Sequence, residues 1–282
     1  MRQIEVARIE VRRIKVCLNG SRSRADHPAV PLTGAEVAAA AAAAVGAGAE
    51  AVHVHPRGAD GSESLRAEDI AATVEAVRRT GPGASVGVST GLWITGGDVD
   101  RRRDLVGRWG RLPPAARPDF ASVNVSEPGF GDLADVLHRA GIGVEAGVWS
   151  AADADALTEA QAGPHRAAPL VRILVEVIGV PSADAIATAD EILARLDRHR
   201  LPAPRLLHGE DGACWPLVAH AGRLGLPTRI GLEDTLTGPD GSAARDSATL
   251  VRQAIAEWER ARSFAGSSST HPQPLRRNTP RR

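Results

Sequence analysis

The 282-residue chain contains no tyrosine, one lysine and two cysteines. No phenol can therefore serve as an acid or base, and a Schiff-base mechanism could use only Lys15. Cys17 and Cys214 lie far apart and form no spacing motif, which favours reduced thiols over a disulfide framework. The absences thus exclude tyrosine catalysis and leave a single candidate for lysine catalysis.

Long apolar runs are absent as well. The Ala-rich stretch 37–49 is too short and too weakly apolar to span a bilayer, and the charged N-terminus lacks the apolar run of a signal peptide. Lys+Arg and Asp+Glu are both 34, and residues 263–282 carry four arginines and no acid, so the rest of the chain is about −4 by subtraction. We therefore expect a cytoplasmic protein with no membrane or nucleic-acid partner.

Runs rich in Val and Ile alternate with Ala-rich helical stretches, about one unit every thirty residues. Strands are expected at 14–19, 50–55, 84–89, 120–126, 143–147, 170–177, 205–210 and 228–233, and helices near 34–47, 67–80, 98–109, 131–140, 151–162, 182–199, 214–224 and 243–262. Eight parallel units predict an α/β fold, a single-domain (β/α)8 TIM barrel over residues 14–262. An open doubly wound sheet is the alternative, but no Gly-rich dinucleotide fingerprint follows the first strand.

The two ends of the chain fall outside the predicted barrel. Residues 1–13 form an N-terminal extension that either plugs the lower face of the barrel or is disordered. The tail 263–282, with Gly-Ser-Ser-Ser, three prolines and four arginines, is predicted to be disordered and basic.

One face of almost every predicted strand becomes polar toward the strand's C-terminal end, where TIM-barrel active sites lie. The polar positions are Asn19, His53, His55, Ser89, Ser122, Asn124, Ser126, Glu145, Arg172, Glu176, His208, Glu210, Arg229 and Glu233. Each one alone could be a satisfied core group, and solvated loop starts explain some of them. The recurrence on successive strands predicts a functional pocket.

His53 and His55 are two residues apart on the second strand, so both imidazoles point to the same face. Two imidazoles at a strand end suit a borderline metal such as zinc, although two buried, hydrogen-bonded histidines are the simpler alternative. Glu233, at the end of strand eight, is a candidate third ligand. Glu145, Glu176 and Glu210 compete with it, and Glu233-Asp234 could instead be an acidic helix entry.

Other polar residues are candidates for chemistry beside a metal. Asp234 and Arg229 could act as a base and its partner, and Asn124 could donate to a developing oxyanion. The turn after strand three, Ser89-Thr90-Gly91, suits a substrate carboxylate. Further substrate contacts are expected from Asn19, His208 and Glu210, and from Arg22 and Arg24, whose alternative is a solvated basic loop.

These segments together resemble the beta-keto acid cleavage enzymes, whose best-known members cleave 3-keto-5-aminohexanoate. The resemblance covers about residues 14–262 and rests on NGSRSRADHPAVPLT (19–33), AVHVHPR (51–57), VST-G (88–91), SVN (122–124), VE (144–145) and RIGLED (229–234). It implies a TIM barrel, usually a tetramer, with one divalent metal, generally zinc. It further implies a retro-Claisen-type exchange in which a beta-keto acid and acetyl-CoA give acetoacetate and a new CoA thioester.

The resemblance also assigns roles to residues of this chain. His53, His55 and Glu233 match the metal ligands, Ser89 matches a contact to the substrate carboxylate, and Arg229 and Asp234 match the pair for deprotonation. Glu145 lies in the matching fifth-strand motif and is a further catalytic candidate. The expected partners are a small beta-keto acid, acetyl-CoA and further copies of the chain, as a tetramer or dimer.

Several positions depart from the family pattern. Ser21-Arg22 replaces the acid that meets a substrate ammonium, which favours a neutral or anionic substrate tail. Gly147 stands where the family often has the second acid of Glu-x-Glu, Ser126-Glu127 replaces a small turn, and the seventh loop is acidic rather than basic. The acidic loop weighs against CoA as the second substrate. Two alternatives stay open: a zinc hydrolase or metal-dependent aldolase, and a non-catalytic barrel that binds a metal or ligand.

Overall fold

The structure, a computed structural model, describes residues 9–80, 83–162 and 169–267. Within these ranges, eight parallel strands alternate with eight α-helices, and four short 3-10 helices lie in the connections. The strands are β1 Ile14–Cys17, β2 Ala51–Val54, β3 Ser85–Ser89, β4 Phe120–Asn124, β5 Gly143–Val148, β6 Leu170–Val177, β7 Arg205–Gly209 and β8 Thr228–Ile230. The helices are α1 Gly34–Gly46, α2 Ala67–Arg79, α3 Val99–Gly107, α4 Phe130–Arg139, α5 Ala151–Ala162, α6 Ala185–His199, α7 Cys214–Leu224 and α8 Ser247–Ser267.

The strands form one sheet in the order β7-β6-β5-β4-β3-β2-β1-β8, and every pair is parallel. The two edges meet where the Leu207 amide donates to the Pro227 carbonyl at 3.0 Å, so the sheet forms a nearly closed barrel. The prediction of a (β/α)8 TIM barrel is confirmed. Among the described residues, no helix combines the length and apolarity needed to cross a membrane.

Several predicted strands end earlier than the sequence pattern suggested. Asn19, His55, Ser126, Glu210 and Glu233 all lie beyond the last residue of their strand. Their backbones turn instead into the loops above the barrel; for example, the Asp234 amide donates to the Gly231 carbonyl at 3.0 Å. Polar side chains that alternation assigned to strands are therefore held by loop contacts.

Helix boundaries also differ in places. The predicted sixth and eighth helices begin at Ala185 and Ser247, and α8 continues to Ser267. Residues 263–267, predicted to be disordered, are thus helical, while the predicted tail from 268 on lies outside the described residues. A capping box opens α1, with the Thr33 hydroxyl accepting from the Glu36 amide.

The outward faces of the strands carry apolar side chains that pack against the helices, and the lower half of the barrel interior is charged. Lys15 lies 2.7 Å from Glu145, and Arg172 lies 3.1 Å from the other oxygen of the same carboxylate. All three side chains are buried, and both cations lie over the Phe120 ring. Lys15 is therefore held in an ion pair below the site, which gives no support to a Schiff base there.

Residues 9–13 lie against the lower end of the barrel. Ile9 is buried against Ala51 and Phe120, and its carbonyl accepts from Arg172 at 3.0 Å. This part of the N-terminal extension therefore covers the interior of the barrel, as one of the two sequence-based alternatives proposed. Residues 1–8 lie outside the described ones.

Closure of the barrel depends on a glycine after β8. A Cβ on Gly231 would lie 1.8 Å from the Cys17 carbonyl oxygen, a backbone atom that can move only if β1 and β8 separate. We expect Gly231→Ala to lower the free energy of unfolding by about 2 kcal/mol or more in urea titrations. Gly131→Ala is the control, because a Cβ there meets nothing within 4 Å and lies in α4. It should leave stability unchanged or raise it slightly.

Candidate active site

A cavity of about 520 Å³ opens at the C-terminal ends of the strands. Among the residues predicted from sequence, it is lined by Arg22, His53, His55, Ser89, Gly91, Asn124, Glu210, Arg229 and Glu233. The predicted residues Asn19, Arg24, Thr90, Glu145, His208 and Asp234 do not line it. The structure thus collects most of the predicted residues at one place, while the others lie behind the cavity lining or, like Arg24, away from it.

His53, His55 and Glu233 can offer three ligand atoms that lie within 4.8 Å of one another. The Nε2 atoms of His53 and His55 are 3.9 and 3.7 Å from the same oxygen of Glu233. Glu233 follows β8 and lies near the histidines of β2, because only β1 stands between these two strands in the sheet. Two imidazoles and one carboxylate, with an open cavity beside them, form a possible site for a divalent metal.

An unpaired buried oxygen supports the fit of a metal to this set. Glu233 Oε2 has no hydrogen-bond partner among the described residues. Burial, with smaller contributions from His55 and Lys15, lowers the pKa of His53 well below its ordinary value. The ring is therefore neutral, which is the form that binds a metal.

A second possible group, formed by Cys17, Glu233 and Asp234, fits a metal less well. Burial raises the pKa of the Cys17 thiol well above its ordinary value. A metal is bound by the thiolate rather than the thiol, so this environment disfavours Cys17 as a ligand. The histidine pair is the better candidate.

Two further side chains hold His55. Its Nδ1 contacts Glu63, whose other carboxylate oxygen accepts from the Trp93 indole at 3.0 Å. A carboxylate on Nδ1 places the proton there and leaves the Nε2 lone pair free on the side of Glu233. Asn19 fixes the backbone, since its side chain accepts from the His55 amide at 2.9 Å and donates to the His55 carbonyl at 3.0 Å.

Sequence reasoning missed Glu63 and Trp93. Glu63 returns to the site through a short hairpin, in which it pairs with Arg57 across the turn 58–62. The two glycines and Asp60 were the available signal in the sequence, because they predict a tight turn. Such a turn brings Glu63, eight residues after His55, back beside the histidine pair. Trp93 lies on a 3-10 helix, Leu92–Thr95, and stacks on the His55 ring.

Arg229 lies among four carboxylates. Its Nε donates to Asp234 at 2.8 Å and its Nη2 to Glu233 at 3.1 Å, and Glu176 and Glu210 are at 3.6 and 3.8 Å. These acids outweigh the effect of burial and raise the pKa of Arg229 well above its ordinary value, so the guanidinium stays charged. Arg229 thus faces the cavity as a fixed positive charge.

Asp234 is completely buried behind Arg229, with its Oδ2 lacking a hydrogen-bond partner among the described residues. Burial, only partly offset by Arg229 and His208, raises the pKa of Asp234. A buried carboxyl with a raised pKa and a free oxygen is suited to hold a proton. Any effect of Asp234 on a substrate passes through Arg229, because Asp234 does not line the cavity.

His208 and Glu176 form a buried pair beside Arg229, with Nε2 of His208 2.8 Å from Glu176. Burial would raise the pKa of Glu176, but the hydrogen bond and charge of His208 and the charge of Arg229 lower it to about 2. His208 is thus a support for Glu176 rather than a direct contact in the cavity. Glu176, which the sequence offered only as a rival metal ligand, lines the cavity instead.

Four predicted residues make contacts other than those expected. Arg24 is exposed and paired with Glu36 at the start of α1, away from the cavity. Thr90 is buried and donates to the Ser122 carbonyl at 2.6 Å. The Asn124 amide nitrogen donates to Glu127 at 3.0 Å, which gives no support to the predicted donation to an oxyanion.

Glu145 is the fourth of these predicted residues. Its carboxylate is bound by Lys15 and Arg172 in the lower barrel. The geometry therefore supports a structural role for Glu145 and not the predicted catalytic one. Strand alternation correctly placed Glu145 on the inward face of β5, but it could not show how far below the cavity the residue lies along the barrel axis. Ser89, in contrast, lines the cavity as expected.

A sequence model of the beta-keto acid cleavage enzyme family matches residues 13–265. The chain belongs to this family. Members of the family are generally metal-dependent, which agrees with the possible metal site at His53, His55 and Glu233.

Solved structures that resemble the chain include two complexes of ObcA. The ternary complex with a C4-CoA adduct and oxalate has a TM-score of 0.66 at 20% identity, over 82% of this chain and 64% of that chain. The binary complex with oxaloacetate has a TM-score of 0.64 at 21% identity, over 85% and 67%. This chain therefore spans slightly less than two thirds of the ObcA chain in the ternary complex.

A 3-dehydroquinate dehydratase from Geobacillus kaustophilus is also similar. It has a TM-score of 0.56 at 12% identity, over 91% of both chains. At such identities these likenesses show the barrel fold alone. The family match carries the assignment.

The contact between Glu63 and His55 can be tested through metal binding. We expect Glu63→Ala to weaken the affinity for zinc about 10- to 100-fold in competition titrations with a chelator, because His55 loses the group that orients it. Glu68→Ala is the control, since that exposed acid lies on α2 outside the site. Equal affinities of the two variants would show that Glu63 does not support a metal ligand.

Proposed function

We propose that this chain catalyses a retro-Claisen-type exchange between a beta-keto acid and acetyl-CoA, giving acetoacetate and a new acyl-CoA. The observation that carries the proposal is that the possible metal site and the Arg229–Asp234 pair meet at one cavity. Family membership supports the cleavage of a beta-keto acid. The C4-CoA adduct and oxaloacetate bound by ObcA, a structural neighbour, support a keto acid and CoA as partners.

The donor set of two histidines and one glutamate favours zinc, with another divalent ion as the alternative. When bound, the ion would polarise the ketone oxygen of the substrate and so stabilise negative charge that develops there. Ser89, at the end of β3, is proposed to bind the substrate carboxylate. Its hydroxyl accepts from the Gly91 amide at 3.2 Å, which orients it at the cavity wall.

Arg229 and Asp234 are proposed to assist proton removal from C2 of the keto acid. The fixed guanidinium lies beside the substrate and favours the anion that forms, while buried Asp234 behind it takes part in holding the proton. The C2 carbanion attacks the thioester carbonyl of acetyl-CoA, and the bond from the acetyl group to sulfur breaks, so the CoA thiolate leaves. The thiolate then adds to C3, the bond between C2 and C3 breaks as the acyl group passes to sulfur, and C2 takes back the proton first removed from it. The products are acetoacetate and the acyl-CoA, so no atoms are left over.

The substrate screen combines zinc-reconstituted protein with a panel of beta-keto acids and acetyl-CoA, and detects new CoA thioesters by mass spectrometry. We expect a thioester and acetoacetate in equal amounts. Turnover without acetyl-CoA would favour a hydrolase or aldolase, and bound metal without turnover of any keto acid would favour a non-catalytic barrel. The assembly as a tetramer or dimer stays a prediction.

The metal ligands are tested by replacing them one at a time. His53→Ala and Glu233→Ala should both lose bound zinc and activity, because a single remaining pair of ligands holds the ion weakly. Metal content per chain is measured by elemental analysis alongside turnover. Full activity in a metal-free double variant would contradict the proposal.

Asp234→Asn separates proton chemistry from metal binding. The variant should retain zinc, since Asp234 is not among the proposed ligands, while turnover falls about 100-fold or more through the loss of general acid–base assistance. Asp132→Asn, an exposed position in the first turn of α4, is the charge-matched control and should keep its activity. An Asp234→Asn variant as active as the control would remove Asp234 from the mechanism.

A further inference from the structure

Three side chains on one side of the cavity present acceptor atoms, and they are here called the acceptor wall. Asn124 ends β4, Glu176 lies on β6 and Glu210 follows β7, while the proposed metal ligands belong to the ends of β2 and β8. All three side chains line the cavity. None has a role in the exchange proposed above.

Asn124 presents its oxygen, because its amide nitrogen is already bound. The nitrogen donates to Glu127 at 3.0 Å, and Glu127 is fixed by an ion pair with buried Arg102 and by the Leu92 amide at 3.1 Å. A carboxylate beside the amide requires the NH2 group on that side. The Asn124 side chain belongs to a residue only 8% exposed, yet its Oδ1 accepts no hydrogen bond from any described residue.

Glu176 and Glu210 complete the acceptor wall. One oxygen of Glu176 is bound by His208, while the other has only the Trp149 indole at 3.4 Å. The carboxylate of Glu210 accepts no hydrogen bond from the described residues, and its charged neighbour is Arg229 at 3.8 Å. Both carboxylates therefore have acceptor capacity left for a ligand.

Gly147 provides the space in front of the wall. A Cβ on this residue would lie 2.5 Å from Glu176 Oε1 and 2.7 Å from Asn124 Oδ1. The two acceptor atoms therefore converge on one point above β5. Any larger residue at 147 would displace them.

The wall offers no free positive charge to an anion. Both arginines that line the cavity are already paired with acids: Arg229 is shared by Glu176, Glu210, Glu233 and Asp234. The Nη2 of Arg22 lies 2.6 Å from Asp211. The anionic tail that Arg22 favoured as a sequence pattern thus loses its main support.

We propose that the acceptor wall binds a hydrogen-bond donor, a hydroxyl or an ammonium group, at the far end of the substituent on the keto acid. The proposal rests on the proposed function for the position of the substrate. It adds Asn124, Glu176 and Glu210 as specificity residues, with Glu127 as the residue that positions Asn124. A site built to accept hydrogen bonds discriminates strongly against an analogue that lacks the donor.

The test compares four substrates of matched length: 6-hydroxy-3-oxohexanoate, 6-amino-3-oxohexanoate, 3-oxoheptanoate and 3-oxoadipate. Turnover with acetyl-CoA is measured on the zinc-loaded full chain, and the affinities of the four corresponding 3-hydroxy acids are measured by calorimetry. The binding experiment needs no turnover, so it separates failure of this proposal from failure of the proposed function. The hydroxyl and ammonium compounds distinguish the two donor types.

We expect one or both donor-ended compounds to exceed 3-oxoheptanoate about tenfold or more in kcat/KM, and 3-oxoadipate to be the poorest. The affinities of the 3-hydroxy acids should follow the same order. Glu210→Gln should reduce the preference for the ammonium compound over 3-oxoheptanoate about tenfold, and Asp132→Asn should leave this preference unchanged. Unfolding in urea confirms that the Glu210→Gln variant is folded.

Three results would overturn the proposal. They are equal affinity for the donor-ended and methyl-ended acids, a preference for the dicarboxylate, and an unchanged preference in a folded Glu210→Gln variant. Absence of thioester from all four substrates, with the expected order of affinities, would instead refute the proposed reaction and retain the acceptor wall as a binding site.

Discussion

Arg229 is the group around which the upper half of the barrel is arranged. Its one positive charge is shared by carboxylates from three successive strands or their loops: Glu176, Glu210, and the pair Glu233 and Asp234. Buried like charges repel each other strongly in a medium of low polarity, so these acids can lie together only while the guanidinium stays among them. The position of Glu233, the proposed metal ligand, and that of Asp234, which is proposed to hold a proton, both depend on this contact.

The barrel interior thus contains two charge clusters at different depths. In the lower one, Glu145 pairs with both Lys15 and Arg172, so the cations outnumber the acid. In the upper one, acids outnumber the cation, and burial together with neighbouring acids, opposed only by Arg229, raises the pKa of Glu210 to about 8. Acids crowded beside a cavity are a binding feature, because a metal ion or a cationic group there allows them to ionise, whereas the ion pairs below the cavity are structural.

Gly147 links the family pattern to this particular chain. Where the family often carries a second acid on strand five, glycine leaves the space open, and the carboxylate of Glu176 from the next strand reaches it. Glu127, which replaces a small turn residue, likewise orients Asn124 from behind. The departures from the pattern are therefore coupled in space, and together they shape the side of the cavity that is proposed to bind the end of the substrate.

Strand alternation was enough to predict the barrel and its order of elements, because each β/α unit is a local pattern. Parallel strand ends must meet at one mouth, so alternation also made His53, His55 and Glu233 candidates for one site. The resemblance to the family was needed to choose Glu233 over Glu145, Glu176 and Glu210. Only the tertiary structure decided that Glu145 lies below the site, that Asp234 lies behind Arg229, and that Glu63 holds His55. Depth along a barrel and the loop contacts beyond the strands depend on groups far apart in the chain, which periodicity does not encode.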